Sequence, residues 1–286
     1  MVTRRCSQRQ CLLHPDRESV NAFIYCLAVA AQRHQIDLLD FIQLSNHLHD
    51  AIYDRHGNAP AFYQDFHRLL ACCINVLRGR SENVFATTQP NVVILATTED
   101  LIRRLVYVAT NAVKHDLVAR VDDWPGASGY RALLENKPLR ATRPKHFFSA
   151  DGDMPEEVTL WVGIPPELGD REEILSEVKR RVEEFEREKA AERARTGTRV
   201  LGRAAVLRQH WTFIPTTTSP RRPQRRIASA CRLTLEKLLD QWRDFLDAHG
   251  KARLALLEGH PIPFPFGTYW LRRYVGVPAQ QPNFSS

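Results

Sequence analysis

The stretch from 36 to 53, IDLLDFIQLSNHLHDAIY, most limits what this chain can become, because it carries two β-strands in succession between two helical stripes. The strands are expected near 36–44 and 46–53. The first is an apolar run of the buried kind, and RHGN at 55–58 behind the second is turn chemistry. Upstream, RRCSQRQCLL at 4–13 alternates as a strand does, and Phe23, Ile24, Leu27 and Ala31 fall at helical spacing after a start at Asp16. Downstream, Asn58 with Pro60 opens a helix whose stripe is Phe62, Phe66, Leu69, Cys73, Val76 and Leu77. NVVILAT at 91–97 reads as a β-branched strand, and Thr97 with Asp100 resembles a capping box for a helix over about 98–116. Two strand pairs, each bridged by a helix, predict an α+β sandwich: a ferredoxin-like antiparallel sheet with helices packed on it.

Within the second strand, His47 and His49 are two positions apart and so share a face. Two neutral imidazoles aimed at one spot are a common metal-ligand geometry. As core residues, each would need a buried partner for its ring nitrogens. Spacing alone leaves both readings open. On the third helix, Ile102, Leu105, Val106, Ala109 and Val113 cluster within about 100° of arc and define the expected buried face. Tyr107 falls roughly 140° from Ile102, and Asn111 about 180°, with Arg103, Arg104 and Lys114 close by. A tyrosine with an asparagine one turn later and basic neighbours is equipped to attack a phosphate, since nearby cations stabilise a pentacovalent phosphorus. An ordinary half-exposed tyrosine is the plainer alternative.

The apolar stretch VNAFIYCLAVAAQ at 20–32 is too short to cross a bilayer, and MVTRR leads into no signal-peptide pattern, so a cytoplasmic protein is expected. Six cysteines without a C-x-x-C argue against a zinc ribbon and read as reduced, packed thiols. Net charge is +7, unevenly placed: residues 1–130 balance, and residues 196–232 carry eight arginines and no acid. Such a block either attracts a polyanion, nucleic acid above all, or forms a solvated basic face. Residues 131–155, with Pro138, Pro144, Gly152 and Pro155, read as a linker or arm. Beyond it, amphipathic helices are expected at about 168–195, on Ile174, Leu175, Val178, Val182 and Phe185, and around Leu235, Leu238, Leu239, Trp242, Phe245 and Leu246. HPIPFPFGTYW near the end reads as a packed extended segment. The expected division is therefore 1–130 as a first domain, 131–155 as linker, and 156–286 as a helical, Arg-rich region.

Taken in order, these motifs resemble the REP-associated tyrosine transposases of the single-tyrosine HUH endonuclease superfamily. Their strand motif like M-P-N-H-V-H reads here LSNHLH at 44–49, and their helix motif like Y-I-x-x-N-P-V reads YVATNAV at 107–113. Their W-x-S-S-x-Y region looks like WPGASGY at 124–130, and R-x-x-x-L-L-x-P-D looks like QCLLHPD at 10–16. The likeness covers roughly the first 130 residues. Ser45 and Ala112 stand where the motifs carry proline, and Asp50 replaces an apolar residue on the face of Leu48; the histidines, tyrosine and asparagine remain.

The resemblance implies a bacterial, nucleoid-associated DNA nickase and strand transferase acting on single-stranded DNA folded into a hairpin. His47, His49 and Asn111 would hold a divalent ion, Mg²⁺ or Mn²⁺, although imidazole suits Mn²⁺, Ni²⁺ or Zn²⁺ better. Tyr107 would form a 5′-phosphotyrosine. Arg103, Arg104, Lys114, Arg199, Arg203, Arg208, Arg221, Arg222, Arg225 and Arg226 would contact phosphates, with Trp211 stacking on a base. A monomer and a homodimer both fit. Two rival readings are a non-catalytic DNA-binding descendant and a hydrolase using the histidines with Asp50 or Asp54 and water.

Overall fold

The two strands of IDLLDFIQLSNHLHDAIY form as β2 (Asp37–Leu44) and β3 (His47–Tyr53), joined directly through Ser45 and Asn46. The structure, a computed structural model, describes residues 1–216 and 226–280. β1 (Val2–Arg5) pairs with the other side of β3, and β4 (Asn91–Val92) lies beyond β1. The sheet order is β2-β3-β1-β4 with every pair antiparallel. α1 (Arg17–His34) bridges β1 to β2 and α2 (Ala59–Arg78) bridges β3 to β4, which gives the split βαβ pattern expected from the sequence.

Asp16 starts α1 by accepting from the Ser19 backbone N–H at 2.9 Å, as its position suggests. α1 and α2 cover one face of the sheet, where Phe23 lies 5.7 Å from Phe41 of β2 and 5.5 Å from Phe66 of α2, ring centre to ring centre. All three are fully buried, and each removes about 1.5–3 kcal/mol worth of apolar surface from water. The opposite face is covered by α3 (Thr98–Lys114), capped by Thr97 accepting from the Asp100 N–H at 3.1 Å.

Several expectations need correcting. The strand drawn over 4–13 stops at Arg5, because Gln8 and Arg9 take positive φ and turn the chain out of the sheet. Leu12 and Leu13 are buried as core plugs instead. The strand drawn over 91–97 splits around buried Val93: β4 completes the sheet, while β5 (Ile94–Leu95) turns to pair in parallel with β8 (Ile227–Ala228). The stretch 131–155 is no free linker. It holds α4 (Tyr130–Glu135) and β6 (Leu139–Thr142), and β6 pairs with β7 (Glu157–Leu160). That hairpin is fastened to α1, with Asn21 donating to Thr142 O at 2.8 Å and Tyr25 Oη donating to Pro155 O at 2.6 Å. One hydrophobic core therefore runs from Cys6 to Val182 without a break at 130.

α5 (Arg171–Thr196) packs along the outer side of α3, where Arg181 grips Glu99 with two N–H donors at 2.7 and 2.8 Å. α6 (Arg203–Arg208) follows, then α7 (Arg232–Leu257) and α8 (Tyr269–Tyr274). Phe264, within the proline-rich end, is buried against Ala252 of α7 and Val277. The described cysteines are free, but the expectation of packed thiols fails at Cys231, which is exposed; Cys26 and Cys73 approach to 3.7 Å across α1 and α2. Among the described residues no helix is long and apolar enough to cross a membrane.

Candidate metal and nucleophile site

Alternation along β3 puts His47 and His49 on the face that meets α3, with ring centres 4.9 Å apart. Register fixes their surroundings. His49 stands opposite Ile42 of β2 and Thr3 of β1, and His47 opposite Leu44 and Arg5. Thr3 Oγ1 lies 2.8 Å from His49 Nδ1, and the Asn111 amide nitrogen lies 3.1 Å from His49 Nε2. Because the amide N–H donates to Nε2, the Nδ1–H donates to threonine. His47 is set the same way, its Nδ1–H donating to Asn46 Oδ1 at 2.7 Å. Both Nε2 lone pairs thus face α3, where that of His49 accepts the Asn111 amide N–H.

Burial holds both imidazoles neutral: His47 falls to about 3, with His115 and Arg5 adding repulsion, and His49 falls well below its usual range. The neutral form is the one that ligates. Asn111 is fully buried, and its Oδ1 has no hydrogen-bond partner. Turning the Asn111 amide over would replace its N–H with the orphaned Oδ1 and release the His49 lone pair, and two imidazole nitrogens with one amide oxygen then suit a divalent cation. Among the described residues no group of three or more His, Cys, Asp or Glu is placed to hold a metal ion.

Tyr107 sits one turn before Asn111, half-buried, its ring centre 5.2 Å from that of His49 and edge-on at 79°. Lys114 Nζ lies 4.9 Å and Arg104 Cζ 6.0 Å from the phenol ring centre. Arg103 does not join them; it turns to Glu99 at 2.6 Å on the exposed side of the helix. The buried arc of α3 is wider than its apolar stripe, for Thr110 and Asn111 are buried while Val106 is only half so. The reason is its position: the helix is covered by the sheet on one side and by α5 on another, and the sheet side carries polar chemistry.

Asp50, one position on from His49, points to the other face, where Tyr63 Oη donates to it and burial pushes its carboxyl up to about 7. Asp54 accepts from the backbone N–H groups of His56, Asn58 and Ala59 at the start of α2. Neither carboxylate shares the histidine face, so the hydrolase ligand set is not assembled.

Of the arginine block, Arg199, Arg203 and Arg208 are exposed, and α6 is tied beside the site. Leu201 N–H donates to Asp116 O and Gly202 N–H to Leu117 O, both at 2.9 Å, just past the end of α3. Val206 is buried with Leu44, Val108 and Trp124. Trp211 is half-buried against the main core, its ring centre 5.3 Å from that of His210. Arg226 is exposed and lies 5.3 Å from the Trp242 ring centre; Arg221, Arg222 and Arg225 lie outside the described residues. WPGASGY seals the free edge of β2: Gln43 N–H donates to Ala127 O and Gly129 N–H to Phe41 O, both at 2.8 Å.

Sequence reasoning missed Thr3 and Asn46, which fix the two imidazoles. Asn46 adjoins His47 and was within reach; Thr3 becomes a partner only through strand register.

No protein-family model and no curated protein matches this sequence. Among solved structures, a REP-associated tyrosine transposase bound to a REP hairpin is similar to this chain, at 15% identity and a TM-score of 0.38, over 59% of this chain and 89% of that one.

Proposed function

We propose that this protein is a metal-dependent nickase and strand transferase for single-stranded, hairpin-bearing DNA, with Tyr107 as nucleophile, of the REP-associated tyrosine transposase kind. The observation that carries the reading is the meeting of His49 with both Tyr107 and Asn111, two residues one helical turn apart. The phenol ring packs edge-on against the imidazole, so admitting a phosphate between them requires it to swing outward about χ1.

Tyr107 Oη then attacks phosphorus as its proton passes to water; the Tyr–O–P bond forms, the P–O3′ bond breaks and the departing 3′-oxygen takes a proton back from water, leaving a 5′-phosphotyrosine and a free 3′-OH. A divalent cation on His47 Nε2, His49 Nε2 and Asn111 Oδ1 would supply Lewis-acid stabilisation of the non-bridging oxygens. Lys114 and Arg104, beside the phenol ring, would hold the phosphate, and Arg199, Arg203 and Arg208 would follow the strand. Attack by a 3′-OH on the phosphotyrosine restores the phosphodiester without ATP.

The test is to incubate the full chain and Tyr107→Phe with labelled hairpin DNA and Mn²⁺ and resolve the products on a denaturing gel. A covalent band that the variant lacks supports the reading. DNA binding without a band leaves a non-catalytic DNA-binding protein, and nicking by the variant transfers the role of nucleophile to water.

A further inference from the structure

The far end of β3 carries a second concavity. α8 lies across the β3–α2 turn, and between them is a space of about 310 Å³ bordered by His56, Tyr269, Trp270, Arg272, Arg273 and Tyr274. Gly57 makes that seating possible: it has φ +73°, and a Cβ there would come within 2.4 Å of the Tyr269 ring. Two aromatic rings stay open to solvent, Trp270 at 49% and Tyr274 at 53% exposure, with ring centres 5.4 Å apart. Arg273 donates to Asn58 Oδ1 at 3.0 Å and lies over Tyr274, whereas Arg272 makes no ion pair among the described residues. No carboxylate borders the space; Asp54, behind it, is occupied by backbone N–H groups. Exposed π-faces beside guanidinium groups, with no acid and room for one small ligand, match a flat base joined to a phosphate.

We propose that this cleft binds one nucleobase–phosphate unit of single-stranded DNA, the base stacking on Trp270 and Tyr274 and the phosphate meeting Arg272. At ~3.3 Å per strand residue the cleft lies on the order of 15–20 Å from His49, a few nucleotides of extended strand away. It is therefore a subsite separate from the chemistry, which would hold the strand at a distance from the point of cleavage. The choice of a strand over a free nucleotide rests on the function proposed above.

The experiment is a fluorescence-anisotropy titration of the full chain with a labelled thymidylate oligomer of about 15 nucleotides. Trp270→Ala should weaken binding roughly tenfold, Trp270→Phe should keep most of it, and Arg272→Ala should lower the salt slope by about one. Equal affinity of the wild type and Trp270→Ala would overturn the proposal. Thymidine monophosphate competing as well as the oligomer would assign the cleft to a free nucleotide, and polyglutamate displacing the label at a lower concentration than unlabelled oligomer does would assign it to an acidic peptide; both overturn the strand. Tyr107→Phe separates the two readings: a missing adduct with the Trp270 effect intact removes only the nucleophile, and an adduct formed without any Trp270 effect removes only the cleft.

Discussion

His49 and Tyr107, from the central strand β3 and from α3, meet ring edge to ring face at 5.2 Å, with Asn111 donating to the same imidazole. The phenol is therefore a contact residue of the histidine pair, packed against it.

Tyr107→Phe keeps that ring contact and removes only the hydroxyl. Stability should change by less than about 0.5 kcal/mol, read by thermal melting, while covalent DNA adduct disappears. Retained adduct would remove Tyr107 from the chemistry.

Thr3→Val should loosen His49 without touching a ligand atom. The β-branched shape suits the strand, but the Nδ1–H loses its 2.8 Å acceptor. Affinity for Mn²⁺ or Ni²⁺ should fall about 10–100-fold by calorimetric titration, as for other groups that orient a metal-binding imidazole. Asn111→Ala, which deletes the third donor, should lower it further. Unchanged affinity in both would place the metal elsewhere.

Asp50 makes stability depend on pH. Burial raises its carboxyl to about 7, with the Tyr63 hydroxyl partly opposing, so between pH of about 4 and 7 the folded chain holds a proton the unfolded chain has lost. Its contribution is present below about pH 4 and is lost as pH rises through 7. Asp50→Asn, measured against the wild type, should gain relative stability over that window at up to about 1.4 kcal/mol per pH unit. His67 acts in the opposite sense: burial pulls it to about 3, so stability falls as pH drops below about 6.5, and His67→Phe should make that limb shallower, with His47 and His49 keeping the remainder. Chemical denaturation of the three proteins from pH 4 to 8 separates the two; parallel curves for wild type and Asp50→Asn would contradict the carboxyl assignment.

Arg203→Ala combined with Arg208→Ala should weaken hairpin binding and reduce the slope of log affinity against log salt by about two, since both side chains are exposed on the helix tethered beside the site. An unaltered slope would take α6 out of the DNA path.

Gly129→Ala tests the sealing of β2. A Cβ there would lie 2.7 Å from Asp40 Oδ1 and 3.1 Å from the Phe41 nitrogen. The strand edge must shift, at a cost of about 1–3 kcal/mol in a denaturant melt. A neutral result would mean the edge is loosely held.

Covalent geometry within a single element could be read directly from the order of residues. A period of two put His47 and His49 on one face and Asp50 on the other; a period near four put Tyr107 and Asn111 on one side of α3; Asp16 and Thr97 marked where helices begin. Only the tertiary structure decided which faces meet. Register across β1 supplied Thr3 to His49, the layer of α5 widened the buried arc of α3, and β8 drew β5 away from β4, splitting a run that reads as one strand. The hairpin β6–β7 gained its place from Asn21 and Tyr25 on α1, partners remote in sequence from what reads as a proline-marked linker. Local periodicity repeats with each residue and is visible in a short window, whereas contacts between distant elements depend on how whole layers fill space, and that is fixed only when the chain packs.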